Sequence, residues 1–316
     1  MPFDPTRLHG IHAATVCPLR PDYAIDRKGL AAHVTRVMDC AGIKGLLING
    51  HAGENAQLSR EAKREVVEIL RDAFPDVWLT CGVYSESALE AADHARDVAA
   101  AGGDAVLVFP PNGWALGQSL ASVVDHHARI AGATDLPVVL YQAPVTAGRM
   151  AYPVETLLAL CALPHVVAIK EGSWEIARYD ANRRAVRAAF PDIAVLASGD
   201  EHLLTGYLIG TEGSHVSLAA VLPDLTVDLW DAAAAQDWDR ARALHDRLAP
   251  LVSAIYSPPP GVSPTACLKT CLVLLGHLDN DRTAPPTRPP GEAHREVLRA
   301  ALEVALSRTL DVAQYG

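Results

Sequence analysis

The run Val166-Val167-Ala168-Ile169-Lys170-Glu171-Gly172-Ser173 decides how this chain is read. Four consecutive apolar residues, three of them β-branched, are the pattern of a strand covered on both faces, as in a parallel sheet wrapped by helices. The strand ends on an amine. Desolvating an ammonium lowers its pKa from the usual ~10.4 and frees the nitrogen to attack carbonyls as a Schiff-base former. The competing reading is a lysine that leaves the strand and reaches water along its own methylenes.

Outward from that strand, short apolar runs recur at 10–17, 43–49, 77–84, 105–109, 138–142, 166–170, 193–197 and 213–218. Their spacing of about thirty residues is the length of one βα unit. Helix signals lie between them. Asp26 precedes an amphipathic run to Cys40, Ser59 opens 60–74, and Ser87 with Glu90 has capping-box spacing before Gly102-Gly103. The predicted fold is α/β: a (β/α)8 TIM barrel over 1–224 as catalytic domain, then a C-terminal helical extension over 225–316. Helices are expected there at 225–236, 238–256, 266–275 and 290–310, joined by stiff proline-rich connectors at 257–260 and 284–290.

Composition narrows the setting. The chain has 316 residues, half of them hydrophobic, and a formal charge of −10 with both signs interspersed. That balance argues against nucleic acid or an anionic membrane as partner. No apolar stretch approaches the ~20 residues of a membrane span, and the first ten residues lack a signal-peptide layout. Six scattered cysteines fit a reduced, cytoplasmic protein, with Cys267 and Cys271 one helical turn apart as packing residues.

In a barrel the strand C-termini share one face, where the chemistry is done. The residues expected there are Asn49-Gly50-His51-Ala52-Gly53-Glu54, Pro110-Pro111-Asn112, Tyr141-Gln142-Ala143-Pro144, Lys170-Glu171-Gly172, Ser198-Gly199-Asp200-Glu201 and the stretch Gly210 to His215. Glycines let backbone N–H groups close on an anion such as a carboxylate. A phenol one strand away from an amine suits proton transfer during imine chemistry. No metal and no cofactor is expected. His-Glu-x-x-His is absent, and the successive His126 and His127 diverge on their helix and read as its surface. Glu212 makes the Gly210-x-x-Gly213 spacing a poor phosphate site.

The motifs Gly50-His51-Ala52-Gly53-Glu54, Tyr141-Gln142-Ala143-Pro144, Ile169-Lys170-Glu171-Gly172, Ser198-Gly199-Asp200 and Gly210-Thr211-Glu212-Gly213 come in the order and spacing of one family. The chain resembles the N-acetylneuraminate lyase/dihydrodipicolinate synthase family of class I aldolases and dehydratases over nearly its whole length. The resemblance implies a lyase that forms a Schiff base between Lys170 and a 2-oxo acid, with Tyr141 shuttling protons. It implies that the amides of His51 and Ala52 hold the substrate carboxylate, and that the chain is a homo-oligomer, a tetramer or a dimer.

Departures from the family pattern bear on the substrate. Relatives that condense pyruvate with an amino-aldehyde, and the sialic acid lyases, carry hydroxyl residues where this chain has His51 and Ala52. Aspartate-semialdehyde users carry a second tyrosine where this chain has Asn112, and an arginine near Thr146. A hydroxyl relay cannot run through Ala52 and Asn112, so dihydrodipicolinate synthase proper is not expected. His51 is read either as a side-chain acid or base or as a backbone donor only. His215 is a second acid/base candidate or a core histidine, and Arg149 is a stand-in for the missing arginine or a surface residue.

Asp200 is read as a binder of substrate hydroxyls or as the cap of a helix at 201–210. Gly50, Asn112 and Gly199 complete the expected substrate site, and 257–261 is expected to dip towards it. The reaction is then retro-aldol release of pyruvate or dehydration of a 3-deoxy-2-oxo sugar acid. Deaminase and hydratase-aldolase chemistry of the same family is the alternative. A pyridoxal phosphate enzyme on Lys170, or a non-catalytic sensor paralogue, are readings of another class.

Overall fold

The computed structural model describes residues 3–308 and 310. Strands β1 (Gly10–Ala14), β2 (Ile43–Ile48), β3 (Trp78–Val83), β4 (Ala105–Val108), β5 (Val138–Gln142), β6 (Val166–Glu171), β7 (Ala194–Ala197) and β8 (Gly213–Val216) pair in order, and β8 pairs back with β1. Every pairing is parallel, so the sheet closes into a (β/α)8 barrel. Each of the eight predicted runs holds one strand.

Side chains alternate across the barrel wall with period two. Leu47, Leu107, Val139, Ala168 and Leu196 form an inner cluster, while their neighbours Ile48, Val106, Leu140, Ile169 and Val195 pack outward against the helices. This parity aims Tyr141, two residues after Val139, and Lys170, two after Ala168, into the barrel.

Helix starts follow the local chemistry. Asp26 accepts from the Gly29 N–H at 3.0 Å and Ser59 from the Ala62 N–H at 3.2 Å. Ser87 accepts from the Glu90 N–H at 3.4 Å, but the return half of the predicted capping box is not made. The Ser85 hydroxyl donates to the Glu90 carboxylate at 2.7 Å and accepts the Ser87 N–H at 3.0 Å instead.

Two expectations are corrected. His126 and His127, on the helix Leu120–Ala131, are buried rather than surface residues. The 3-10 turn Asn112–Leu116 folds Trp114 back over that helix, and Trp114 and Tyr152 enclose both imidazoles. The stretch Gly210 to His215 belongs largely to the opposite end of the barrel, because β8 begins at Gly213. A Cβ on Gly213 would sit 2.0 Å from the Leu8 carbonyl, so this glycine serves close packing below the barrel.

Beyond β8 lie the helices Leu218–Val221, Pro223–Ala234, Trp238–Tyr256, Pro264–Leu274 and Glu292–Leu306. The helix Pro264–Leu274 is buried from Ala266 to Leu274, with Cys267 and Cys271 as free thiols within its packing. Among the described residues no helix is long and apolar enough to cross a membrane.

Candidate active site

The C-terminal ends of the strands open into a cavity of about 340 Å³ that reaches Lys170. Register places Tyr141 of β5 directly beside Lys170, with Leu196 of β7 on its other flank. The Lys170 Nζ lies 5.7 Å from the centre of the Tyr141 ring. Desolvation pushes the half-buried amine down to about 8, with the Asp200 carboxylate opposing that shift. Burial, and then the charge of Glu171, push the Tyr141 phenol up, so it stays protonated at neutral pH.

Gly172 follows the lysine strand for a steric reason. A Cβ there would meet the Gln142 carbonyl at 2.9 Å and the Tyr141 ring at 3.0 Å. Glu171, on the other parity, faces away from the cavity and accepts from Asn182 at 2.8 Å and from the Ser173 hydroxyl at 3.0 Å. The Ser198 hydroxyl ties the next strand to this one by donating to the Glu171 carbonyl at 2.9 Å.

The turn after β2 brings His51 and Ala52 to the cavity wall. The His51 ring stands 4.5 Å from Phe109 and 5.2 Å from Tyr141, edge-on to the phenol. It is exposed to the cavity itself, yet the enclosing protein and then the Lys170 ammonium hold it below the usual imidazole range. Among the described residues neither the His51 nor the Ala52 amide donates a backbone hydrogen bond, which leaves both free for an anion.

The turn is anchored from the far end of the chain. Thr265 Oγ1 donates to the His51 carbonyl at 3.0 Å, and Lys269 forms a fully buried ion pair with Glu54. Glu54 also accepts the Ala284 N–H at 2.6 Å, and the Lys269 Nζ donates to the Arg282 carbonyl at 2.7 Å.

Of the eight residues expected at the site, Lys170, Tyr141, His51, Ala52 and Asn112 line the cavity. Gly50 lies behind its wall in the same turn, and Gly199 lines a smaller neighbouring recess. His215 does not line the cavity either. It is fully buried inside the barrel, 4.9 Å from the ring of His12 on the paired strand, and neither ring nitrogen has a hydrogen-bond partner. Arg149 is also outside: its guanidinium packs over Gly117, and Thr146 is exposed away from the cavity.

Asp200 does not cap its own helix. It is buried, and accepts the Leu218 N–H at 2.8 Å, holding the start of the helix Leu218–Val221. Desolvation pushes its carboxyl up to about 6. The segment 257–261 does not line the cavity, but its flanks Tyr256 and Ser263 do. Ser217 reaches the site as the residue after β8, whereas Tyr256 and Ser263 carry no local sequence signal and arrive through the packing of the C-terminal helices. Tyr84 is placed by Glu86, which accepts its hydroxyl at 2.7 Å and the Asn112 N–H at 2.8 Å.

Residues 7–305 match the model of the dihydrodipicolinate synthetase family. A 4-hydroxy-tetrahydrodipicolinate synthase of Methanothrix thermoacetophila is 33% identical over 247 residues, which cover 78% of this chain and 81% of that protein. An uncharacterised DapA-like lyase of Halobacterium salinarum is 31% identical over 305 residues, covering 96% of this chain and 95% of its own. The structure of a dihydrodipicolinate synthase from Agrobacterium tumefaciens superposes with a TM-score of 0.84 at 25% identity, over 95% of this chain and 99% of that one. With the family's match running through all eight strands and the helices that close the cavity, the chain belongs to the dihydrodipicolinate synthetase family and is a carbon–carbon or carbon–oxygen lyase.

Proposed function

We propose that Lys170 forms a Schiff base with the keto carbon of a 2-oxo acid. The His51 and Ala52 amides hold the acid's carboxylate and Tyr141 carries protons. The protonated imine is an electron sink. It allows a carbon–carbon bond to break with release of pyruvate, or a hydroxyl to leave a 3-deoxy-2-oxo sugar acid. The supporting observation is the pairing of a half-buried amine with a buried phenol on adjacent strands, at the floor of one cavity.

Condensation with aspartate semialdehyde is disfavoured by the same cavity. Ala52 and Asn112 cannot relay a proton as hydroxyl residues would. Among the described residues lining the cavity Lys170 is the only lysine or arginine, and it is taken up by the imine rather than by a second carboxylate. Neutral polar groups such as Gln57, Tyr84, Asn112 and Thr287 suit an uncharged, hydroxylated distal half. Residues 1–224 act as the catalytic domain, and residues between Tyr256 and Thr287 of the C-terminal extension complete its cavity wall. Leu116 and Val145, exposed on neighbouring turns, offer an apolar surface for subunit contact in a cytoplasmic homo-oligomer.

Borohydride reduction in the presence of pyruvate, followed by mass spectrometry of the Lys170 peptide, tests the reading. A pyruvate-derived adduct on Lys170 is expected, together with no turnover of pyruvate plus aspartate semialdehyde. Unmodified protein across pyruvate and a broad panel of 2-oxo acids would overturn the imine. Turnover of aspartate semialdehyde at rates usual for an enzyme would overturn the substrate assignment. Sugar-derived, aryl and amino 2-oxo acids in the panel separate lyase from hydratase-aldolase and deaminase chemistry by their products.

A further inference from the structure

Converting an ammonium and a ketone into an iminium moves two protons from nitrogen to the oxygen that departs as water. Tyr141 flanks Lys170 on the β5 side. On the β7 side the strand ends at Ala197 and the chain turns at once into the 3-10 segment Asp200–His202, which sets the Asp200 carboxyl in the wall of the same cavity. One carboxylate oxygen is held by the Leu218 N–H. The Tyr256 hydroxyl and the Ser217 amide lie beside the same carboxyl, and the residue as a whole lines the cavity with Lys170.

We propose that Asp200 is the second proton carrier of imine formation, resting on the Schiff-base reading above. The carboxylate takes one proton from the Lys170 ammonium through a single water in the cavity they share, and the freed lone pair attacks C2 of the 2-oxo acid. The carbonyl electron pair moves to oxygen, which takes the phenolic proton of Tyr141. The nitrogen of the adduct returns a proton to the Tyr141 phenolate. Asp200 then gives its proton to the carbinolamine hydroxyl, the C–O bond breaks, and water leaves with the iminium formed. Both carriers end as they began.

The groups facing Asp200 are consistent with that duty. Among the described residues Lys170 from β6 is the only cation acting on it. Tyr256, from the helix Trp238–Tyr256, and Tyr207, from the helix Leu203–Ile209, are phenols that burial keeps neutral. The Tyr256 hydroxyl lies next to Asp200 and Ser217, and being an uncharged phenol it leaves the carboxylate's charge in place. A carboxyl near 6 and an amine near 8 leave a window at neutral pH in which the donor is charged and the acceptor is empty.

The test is the pH dependence of cyanoborohydride trapping with pyruvate, in the native chain and in Asp200→Asn. Asparagine keeps an oxygen for the Leu218 N–H, and a thermal melt checks folding. In the native chain the rate should hold down to about pH 6 and fall below it. In Asp200→Asn the fall should move up towards pH 8, with a loss of up to about tenfold at pH 7 set by the fraction of free amine. Removing a purely electrostatic neighbour would move the fall the other way, because Asp200 raises the Lys170 pKa. A downward shift, or a uniform loss at every pH, would therefore overturn the proposal. If the variant does not fold, a native profile that already falls near pH 8 overturns it as well. A native chain that traps no 2-oxo acid would instead overturn the imine reading itself.

Discussion

At the residue scale, Lys170 is defined by parity and by its neighbours. Period two along Ala168-Ile169-Lys170 aims the amine inward, and Tyr141 shares its register line. His51 is the residue whose side chain the site leaves most open. Its ring stacks between Phe109 and the edge of Tyr141, and it is neutral at pH 7 because its pKa is lowered. In the proposed chemistry a neutral imidazole there can accept the hydroxyl proton of an aldol substrate in the step that follows imine formation. We expect His51→Ala to retain Lys170 trapping while turnover falls by roughly 10²-fold. Unchanged turnover would reduce His51 to its backbone amide.

At the scale of elements, the turn after β2 and the helix Pro264–Leu274 form one unit. The turn contains left-handed backbone at Asn49 and Glu54, conformations that need outside support. That support is the buried Glu54–Lys269 ion pair with its two added hydrogen bonds, and the Thr265 contact to His51. Lys269→Ala would leave the buried Glu54 carboxylate without its countercharge, held by the Ala284 N–H alone. Such losses cost about 3–5 kcal/mol. Urea unfolding should show a drop of that size, whereas Glu54→Leu with Lys269→Met should lose markedly less. Equal losses in both variants would mean that packing, not charge compensation, holds the turn. The pair was not legible beforehand, since its partners are 215 residues apart and each looks like an ordinary surface charge.

At the scale of the whole molecule, the barrel encloses imidazoles that it does not satisfy. His12 and His215 touch inside it with no partner for any ring nitrogen among the described residues, and His33 and His127 are buried outside it. Desolvation lowers all four below the ordinary value of 6.5, His12 to about 4 and His33 and His127 to about 3. The unfolded chain therefore binds more protons than the folded one once pH falls below about 6.5. The stability present above that pH is lost progressively as pH falls towards the folded values. Melting temperature should decline from pH 7 to pH 4, and His12→Leu should flatten the decline. An equal slope in the variant would assign the acid sensitivity elsewhere. The sequence by itself determined the barrel, the amine and its phenol, because period-two burial and the βα repeat are local properties of the chain. Only the tertiary structure decided that His126 and His127 are interior, that His215 lies off the cavity, that Asp200 holds the Leu218 N–H, and that Tyr256 stands at the cavity wall. Those placements depend on contacts between distant segments, which no local pattern of polarity records.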